Sequence, residues 1–183
     1  MALKATLFKA QVTISDLDRH YYESHALTLA RHPSETDARM MVRLLAFCLY
    51  ADPRLGFTKG LSTDEEPDLW QHSLTGEIER WIEVGQPDER RLRQASGRAR
   101  EVIVITYAGR AADLWWERVE DGLRRLRNLR VLDVASAELQ ALTELVERSM
   151  DLQCTIDGGQ VWIGDGQRTV ELNPTLRQGR DGP

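Results

Sequence analysis

Lysine is scarce in this chain. It stands only at positions 4, 9 and 59, and all other basic positions apart from four histidines are arginine. Any cation required after residue 59 is therefore a guanidinium or a histidine, and a guanidinium stays protonated and cannot serve as a tunable base. Cysteine is almost missing. Cys48 and Cys154 have apolar neighbours and no metal-ligand spacing, which excludes a zinc-type cysteine site and a disulfide framework and predicts two reduced core thiols. No apolar run reaches the roughly 18 to 20 residues a membrane helix needs. The stretch Met1–Lys9 alternates instead of forming the apolar region of a signal peptide. A cytoplasmic protein with no membrane segment is the expectation. A basic excess is missing too: the net charge is −5, so no global field draws in nucleic acid. Phosphate-loop, dinucleotide-glycine, zinc-ligand and nucleophile-elbow patterns are all lacking.

The 183 residues suit one domain with a proper core. Residues 1–174 read as that domain, and residues 175–183 as a polar, disordered tail. Residues 3–15 alternate with period two, and residues 20–31 read as the returning strand of a hairpin. A helix is predicted from Ser34, with Ser34 and Asp37 as a capping-box pair and Met40, Leu44, Leu45, Phe47 and Cys48 as its buried stripe. A short extended piece is expected around Phe57. Residues 66–85 read as two strands joined by a turn at Gly76. A helix follows from Pro87-Asp88-Glu89 to about Arg98, packing through Leu92, Ala95 and Ala99. Val102–Tyr107 reads as a buried strand. A helix from Arg110, a strand at 129–134, a helix from Ala137 to Met150 capped by Ser136, and a hairpin around Asp157-Gly158-Gly159 complete the reading. Strand–helix alternation over 66–134 implies right-handed crossovers. The fold class is α/β: a single-domain mixed β-sheet flanked by helices, with hairpins at both ends.

Two acids in the 66–85 region carry chemistry. Asp68 begins one strand and Glu83 ends the next, so neighbouring strands bring both carboxylates to one sheet edge. With the Val84 carbonyl they form a hard-donor set for Mg²⁺ or Mn²⁺. Glu83 sits in an apolar strand end, where an unpaired carboxylate is costly. The alternative reading is that it pairs with an arginine such as Arg90. Arginines cluster at 90, 91, 93, 98 and 100, and again at 118, 124, 125, 127 and 130. They fit nucleic-acid phosphate, or else they are simply solvated helix faces. His32 and His72 read as surface or strand histidines. Of Trp115 and Trp116, one is expected to be buried and one half-exposed.

The order Pro67-Asp68, hairpin, Glu83-Val84-Gly85 resembles the PD-(D/E)xK nuclease signature. The resemblance implies a restriction-endonuclease-like core, a divalent metal on the two acids, and a supporting glutamate from the first helix, which matches Glu35. It also implies a lysine at position 85, where this chain has glycine, so Arg90 or Arg93 would hold phosphate instead. A second resemblance covers nearly the whole chain. Ala2–Thr6, Leu27–Thr36, Asp64–Pro67, Trp81–Arg91 and Leu114–Trp116 are similar to peptides of the bacterial YaeQ family. That family implies the same nuclease-like core and no particular reaction. A metal-dependent phosphodiesterase and a non-enzymatic nucleic-acid- or protein-binding module are both compatible with these residues.

Overall fold

The alternation of the first residues builds a long hairpin. β1 (Thr6–Asp16) buries Phe8, Ala10, Val12 and Ile14 and exposes the residues between them, the period of a half-buried strand. β2 (Tyr21–Arg31) returns antiparallel to it, with Thr6 opposite Arg31 and Asp16 opposite Tyr21. The computed structural model describes residues 4–59 and 65–180. Asp64, part of the acidic stretch singled out above, lies outside them, as do Ala2 and Leu3.

α1 (Asp37–Leu49) is capped by Thr36, whose side chain accepts from the Arg39 amide, rather than by Ser34. Glu35 therefore precedes the helix and does not sit in its first turn. The sequence shows α1 as a helix with one buried stripe, yet every residue from Met40 to Cys48 is buried. A helix covered all round needs an element on each side. This is why the chain forms two sheets where a single mixed sheet was expected. The remaining elements are β3 (Leu55–Phe57), β4 (Leu69–His72), β5 (Ile78–Val84), α2 (Glu89–Arg98), β6 (Ala99–Thr106), α3 (Arg110–Leu123), β7 (Leu129–Asp133), α4 (Ser136–Thr143), β8 (Ser149–Asp157), β9 (Gln160–Gly164), β10 (Thr169–Leu172) and β11 (Thr175–Gln178).

One sheet runs β10-β9-β8-β1-β2 and the other β11-β7-β6-β5-β4-β3. In the second sheet β5, β6 and β7 are parallel, linked by α2 and α3, while β3, β4 and β11 are antiparallel to their neighbours. Alternate residues of β6 serve two cores. Ile103 and Ile105 pack with α1 and the first sheet, and Val102 and Val104 pack with Leu92 of α2 and Trp115 of α3. The layers are thus sheet, helix, sheet, helices.

Three expectations fail for physical reasons. α4 stops at Thr143, not Met150, because residues from Ser149 pair with both β1 and β9. Leu145 keeps its buried place through a tighter i→i−3 turn, bonded to the Leu142 carbonyl. Ser136 does not cap that helix by a side-chain hydrogen bond; Ala135 holds the N-cap position. Residues Thr175–Gln178, expected to be disordered, form β11 against β7, and the Gln178 amide donates to the Leu123 and Leu126 carbonyls. Cys48 and Cys154 are buried free thiols in contact with each other. The hydrogen bond between them and burial hold the Cys48 thiol well above the ordinary thiol range. Trp115 is buried and donates to the Pro87 carbonyl, while Trp116 is half-buried. Among the described residues no helix is long and apolar enough to cross a membrane.

Candidate functional site: an acid–arginine cluster at the end of β5

β4 and β5 pair with Leu69 opposite Ile82, and the Asp68 amide donates to the Ile82 carbonyl at 3.0 Å. That register brings Asp68 to the end of β5, where Glu83 and Val84 lie. Asp68 Oδ2 accepts from the Val84 amide at 2.7 Å. Its other oxygen, Oδ1, accepts from Arg39 Nη2 at 2.8 Å. Arg39 comes from the first turns of α1, and the same Nη2 donates to the Val84 carbonyl at 3.2 Å. Its Nη1 donates to Glu35 Oε1 at 3.0 Å. Arg43, one turn further along α1, grips Glu35 through Nε to Oε1 and Nη2 to Oε2, both at 2.7 Å, and also bonds the Ala30 carbonyl. Fork-to-carboxylate bonding of this kind is the strongest side-chain pairing available.

Glu83 belongs to the same cluster but answers to a different arginine. Its Oε1 accepts from Trp81 Nε1 at 2.8 Å and from Arg91 Nε at 2.6 Å. Arg91 also donates to the Glu66 carbonyl, and the Asp88 side chain caps α2 by accepting from the Arg91 amide. Three buried carboxylates, Glu35, Asp68 and Glu83, thus face three guanidinia, Arg39, Arg43 and Arg91. Burial raises the Glu83 carboxyl above the ordinary glutamate range, and the Arg91 charge only partly offsets it. Tyr107, half-buried nearby, is raised by desolvation, with the Arg39 charge opposing.

The Glu83 shift has a sign that can be checked. A carboxyl whose folded value lies above its unfolded value favours folding below the unfolded value, and that contribution is lost as pH rises through the folded value. Glu83→Gln removes this loss. Urea denaturation at about pH 4 and about pH 7 is expected to show the variant gaining relative to the native chain at the higher pH.

The predicted residues divide. Glu35, Asp68 and the Val84 carbonyl meet on Arg39, and Glu83 lies beside them on Arg91. Arg90 is exposed, and Arg93 pairs with Glu89 of its own helix, so neither reaches the acids. Position 85 holds glycine for a backbone reason. Its φ is +107°, in the region that penalises side chains, and its amide donates to the Ile105 carbonyl. Arg39, Arg43 and Arg91 were missed. The helical phase of α2 points to Arg91, about 40° round the helix from buried Ala95, while Arg90 and Arg93 lie outside that stripe.

In this arrangement protein donors occupy most of the carboxylate oxygens. Both oxygens of Asp68 and both of Glu35 are engaged by protein donors, and Glu83 Oε1 is engaged twice. Among the described residues no group of three or more histidine, cysteine or carboxylate side chains is arranged to hold an ion.

A mixed α/β scaffold with a charge-neutral acid–arginine cluster at one strand end is the class that fold and site define. Comparison with known proteins narrows it. The chain belongs to the YaeQ family: the model of that family, described as YaeQ protein, matches residues 1–174. It is similar to the uncharacterized protein YaeQ of Escherichia coli (strain K12) and to that of Salmonella typhi, each 46% identical over 178 residues, covering 97% of this chain and 98% of the relative. The crystal structure of YaeQ protein from Xanthomonas axonopodis pv. citri superposes with a TM-score of 0.93 at 49% identity, covering 96% of this chain and 99% of that one. That of YaeQ protein from Pseudomonas syringae superposes with a TM-score of 0.92 at 35% identity, covering 97% and 98%.

Proposed function

We propose that this chain is a binding module on a nuclease-like scaffold, and that it engages nucleic-acid phosphate without hydrolysing it. The observation that carries the reading is Arg39. One guanidinium contacts Asp68 and the Val84 carbonyl, two of the three donors read as a divalent-ion set, and also Glu35, to which the nuclease resemblance gives a supporting role. Arg39 is held above its ordinary value by those same partners, Asp68 foremost, against the opposing effect of burial, so it remains a cation. With three charges balanced by three, an added ion has no excess negative charge to neutralise. Phosphate would instead meet the exposed arginines of α2, α3 and the turn after it. Among the described residues Arg90, Arg118, Arg125 and Arg127 are exposed and have no carboxylate partner.

A second reading keeps the metal. The oxygens meeting on Arg39 are hard donors that suit Mg²⁺ or Mn²⁺, and an ion would enter by displacing that guanidinium. One titration separates the two. On the first reading, calorimetry with Mn²⁺ gives no saturable heat, and a DNA or RNA oligonucleotide binds in EDTA with an affinity that falls as salt rises. The triple variant Arg90→Glu, Arg118→Glu, Arg125→Glu then loses that binding. Saturable Mn²⁺ binding that disappears in Asp68→Ala and strengthens in Arg39→Ala selects the second reading and overturns the first.

A further inference from the structure

α1 joins two regions. Its N-terminal end supplies Arg39 and Arg43 to the acid cluster, and its other end, roughly 20 Å away at 1.5 Å per residue, finishes at Tyr50. There the two sheets part beyond the helix and leave a cavity of about 570 Å³, within the range of small-molecule sites. Both sheets contribute to its wall. Arg19 comes from the β1–β2 turn, Arg80 and Arg130 from the first residues of β5 and β7, and Leu132 and Leu176 from β7 and β11. No residue of the acid cluster lines it.

Arg19 is fixed before any ligand arrives. Its Nε pairs with Asp16 Oδ2 at 2.6 Å, and its Nη1 donates to the Ala51 carbonyl at 2.9 Å. Its Nη2 is buried and has no acceptor among the described residues. A buried donor left unbonded is costly, so this nitrogen calls for an acceptor that the described residues do not supply. The remaining polar wall is committed. Arg80 pairs with Glu101 and lies 5.6 Å over the Tyr50 ring. Arg130 lies close to Tyr50 and donates to the Arg180 carbonyl. Asp18 accepts from the Gly158 and Gly159 amides. Three arginines, Arg19, Arg80 and Arg130, are matched in the wall by three acids, Asp16, Asp18 and Glu101. That balance disfavours a doubly charged phosphate, and the one unbonded Arg19 nitrogen calls for a single acceptor group. Leu132 and Leu176 give the rest of the cavity an apolar surface.

We propose that this cavity is a binding site for a small organic carboxylate with an apolar, ring-sized body, its carboxylate accepting from Arg19 and its body lying against Leu132 and Leu176. The site is separate from the acid cluster and does not depend on how that cluster is used.

Isothermal calorimetry with 2-naphthoate as the probe, and 2-naphthylmethanol as its uncharged counterpart, tests the assignment. The native chain is expected to bind one equivalent of 2-naphthoate saturably, and the alcohol at least tenfold more weakly. Arg19→Gln is expected to weaken 2-naphthoate at least tenfold, and Leu176→Trp, on a short edge strand, to abolish binding by filling the cavity. Leu74→Ala, in the exposed turn between β4 and β5 and outside the cavity wall, is expected to leave the affinity unchanged. The assignment is overturned by no saturable heat with 2-naphthoate, by equal binding of the alcohol, or by binding that survives both Arg19→Gln and Leu176→Trp.

Discussion

Arg43→Met is expected to destabilise the protein by about 3 to 5 kcal/mol, the range for breaking a buried ion pair from one side. Arg43 is 3% exposed, and its guanidinium makes two bonds to buried Glu35 and one to the Ala30 carbonyl. Methionine keeps the unbranched apolar stem that packs within α1 and removes only the charged fork. Glu35 then has Arg39 alone, through one bond at 3.0 Å. The check is the midpoint of urea unfolding, with the slope required to stay constant. A double-mutant cycle with Glu35→Gln sharpens it. If the cost comes from stranding the carboxylate, the double variant loses well under the sum of the two singles. A loss below about 1 kcal/mol for Arg43→Met would mean that Arg39 satisfies Glu35 unaided, and the cluster would not be the coupled unit described above.

The same residues show what the sequence made legible. The β1–β2 hairpin, the Gly76 turn and α2 announce themselves through local period and turn chemistry and fold as read, while β6 begins earlier than its apolar run, at Ala99. What failed depends on contacts far apart in the chain. Nine consecutive buried residues in α1 require two sheets, and only tertiary structure reveals the second layer. β11 is four residues long and pairs across the whole fold with β7, so no local signal marks it. α4 is cut short by the demands of β8, which pairs with strands from both ends of the chain.

At the site, Asp68 and Glu83 were found because hairpin register carries one to the level of the other. Their partners were not, although a clue was present. Two arginines four residues apart, Arg39 and Arg43, sit in a helix that is otherwise apolar beyond its first residue, Asp37. A buried helix that carries two guanidinia must meet buried carboxylates, and Glu35 and Asp68 were the acids already in hand. The cations of α1 point to an ion-pair cluster as directly as the acids point to a metal site.

Asp68→Ala is the second large expected effect, again about 3 to 5 kcal/mol. Its two oxygens do different work: one accepts the Val84 amide and the other holds Arg39. Alanine leaves a buried backbone donor without its acceptor, which alone costs about 1 to 3 kcal/mol, and it strips one carboxylate from a buried guanidinium. Asp68→Asn discriminates between the two tasks. An asparagine side chain has one acceptor oxygen, so it can serve Val84 or Arg39 but not both, and its amide group opposes a donor wherever the oxygen is not. It should therefore recover only part of the loss. In an Arg39→Met background the conflict is gone, because the single oxygen can turn to Val84, and Asp68→Asn should then cost less than about 1 kcal/mol. Urea midpoints for the four chains decide it. If Asp68→Asn is as damaging without the Arg39 guanidinium as with it, Asp68 acts through the strand end alone, and Arg39 is not the cation around which these oxygens are arranged.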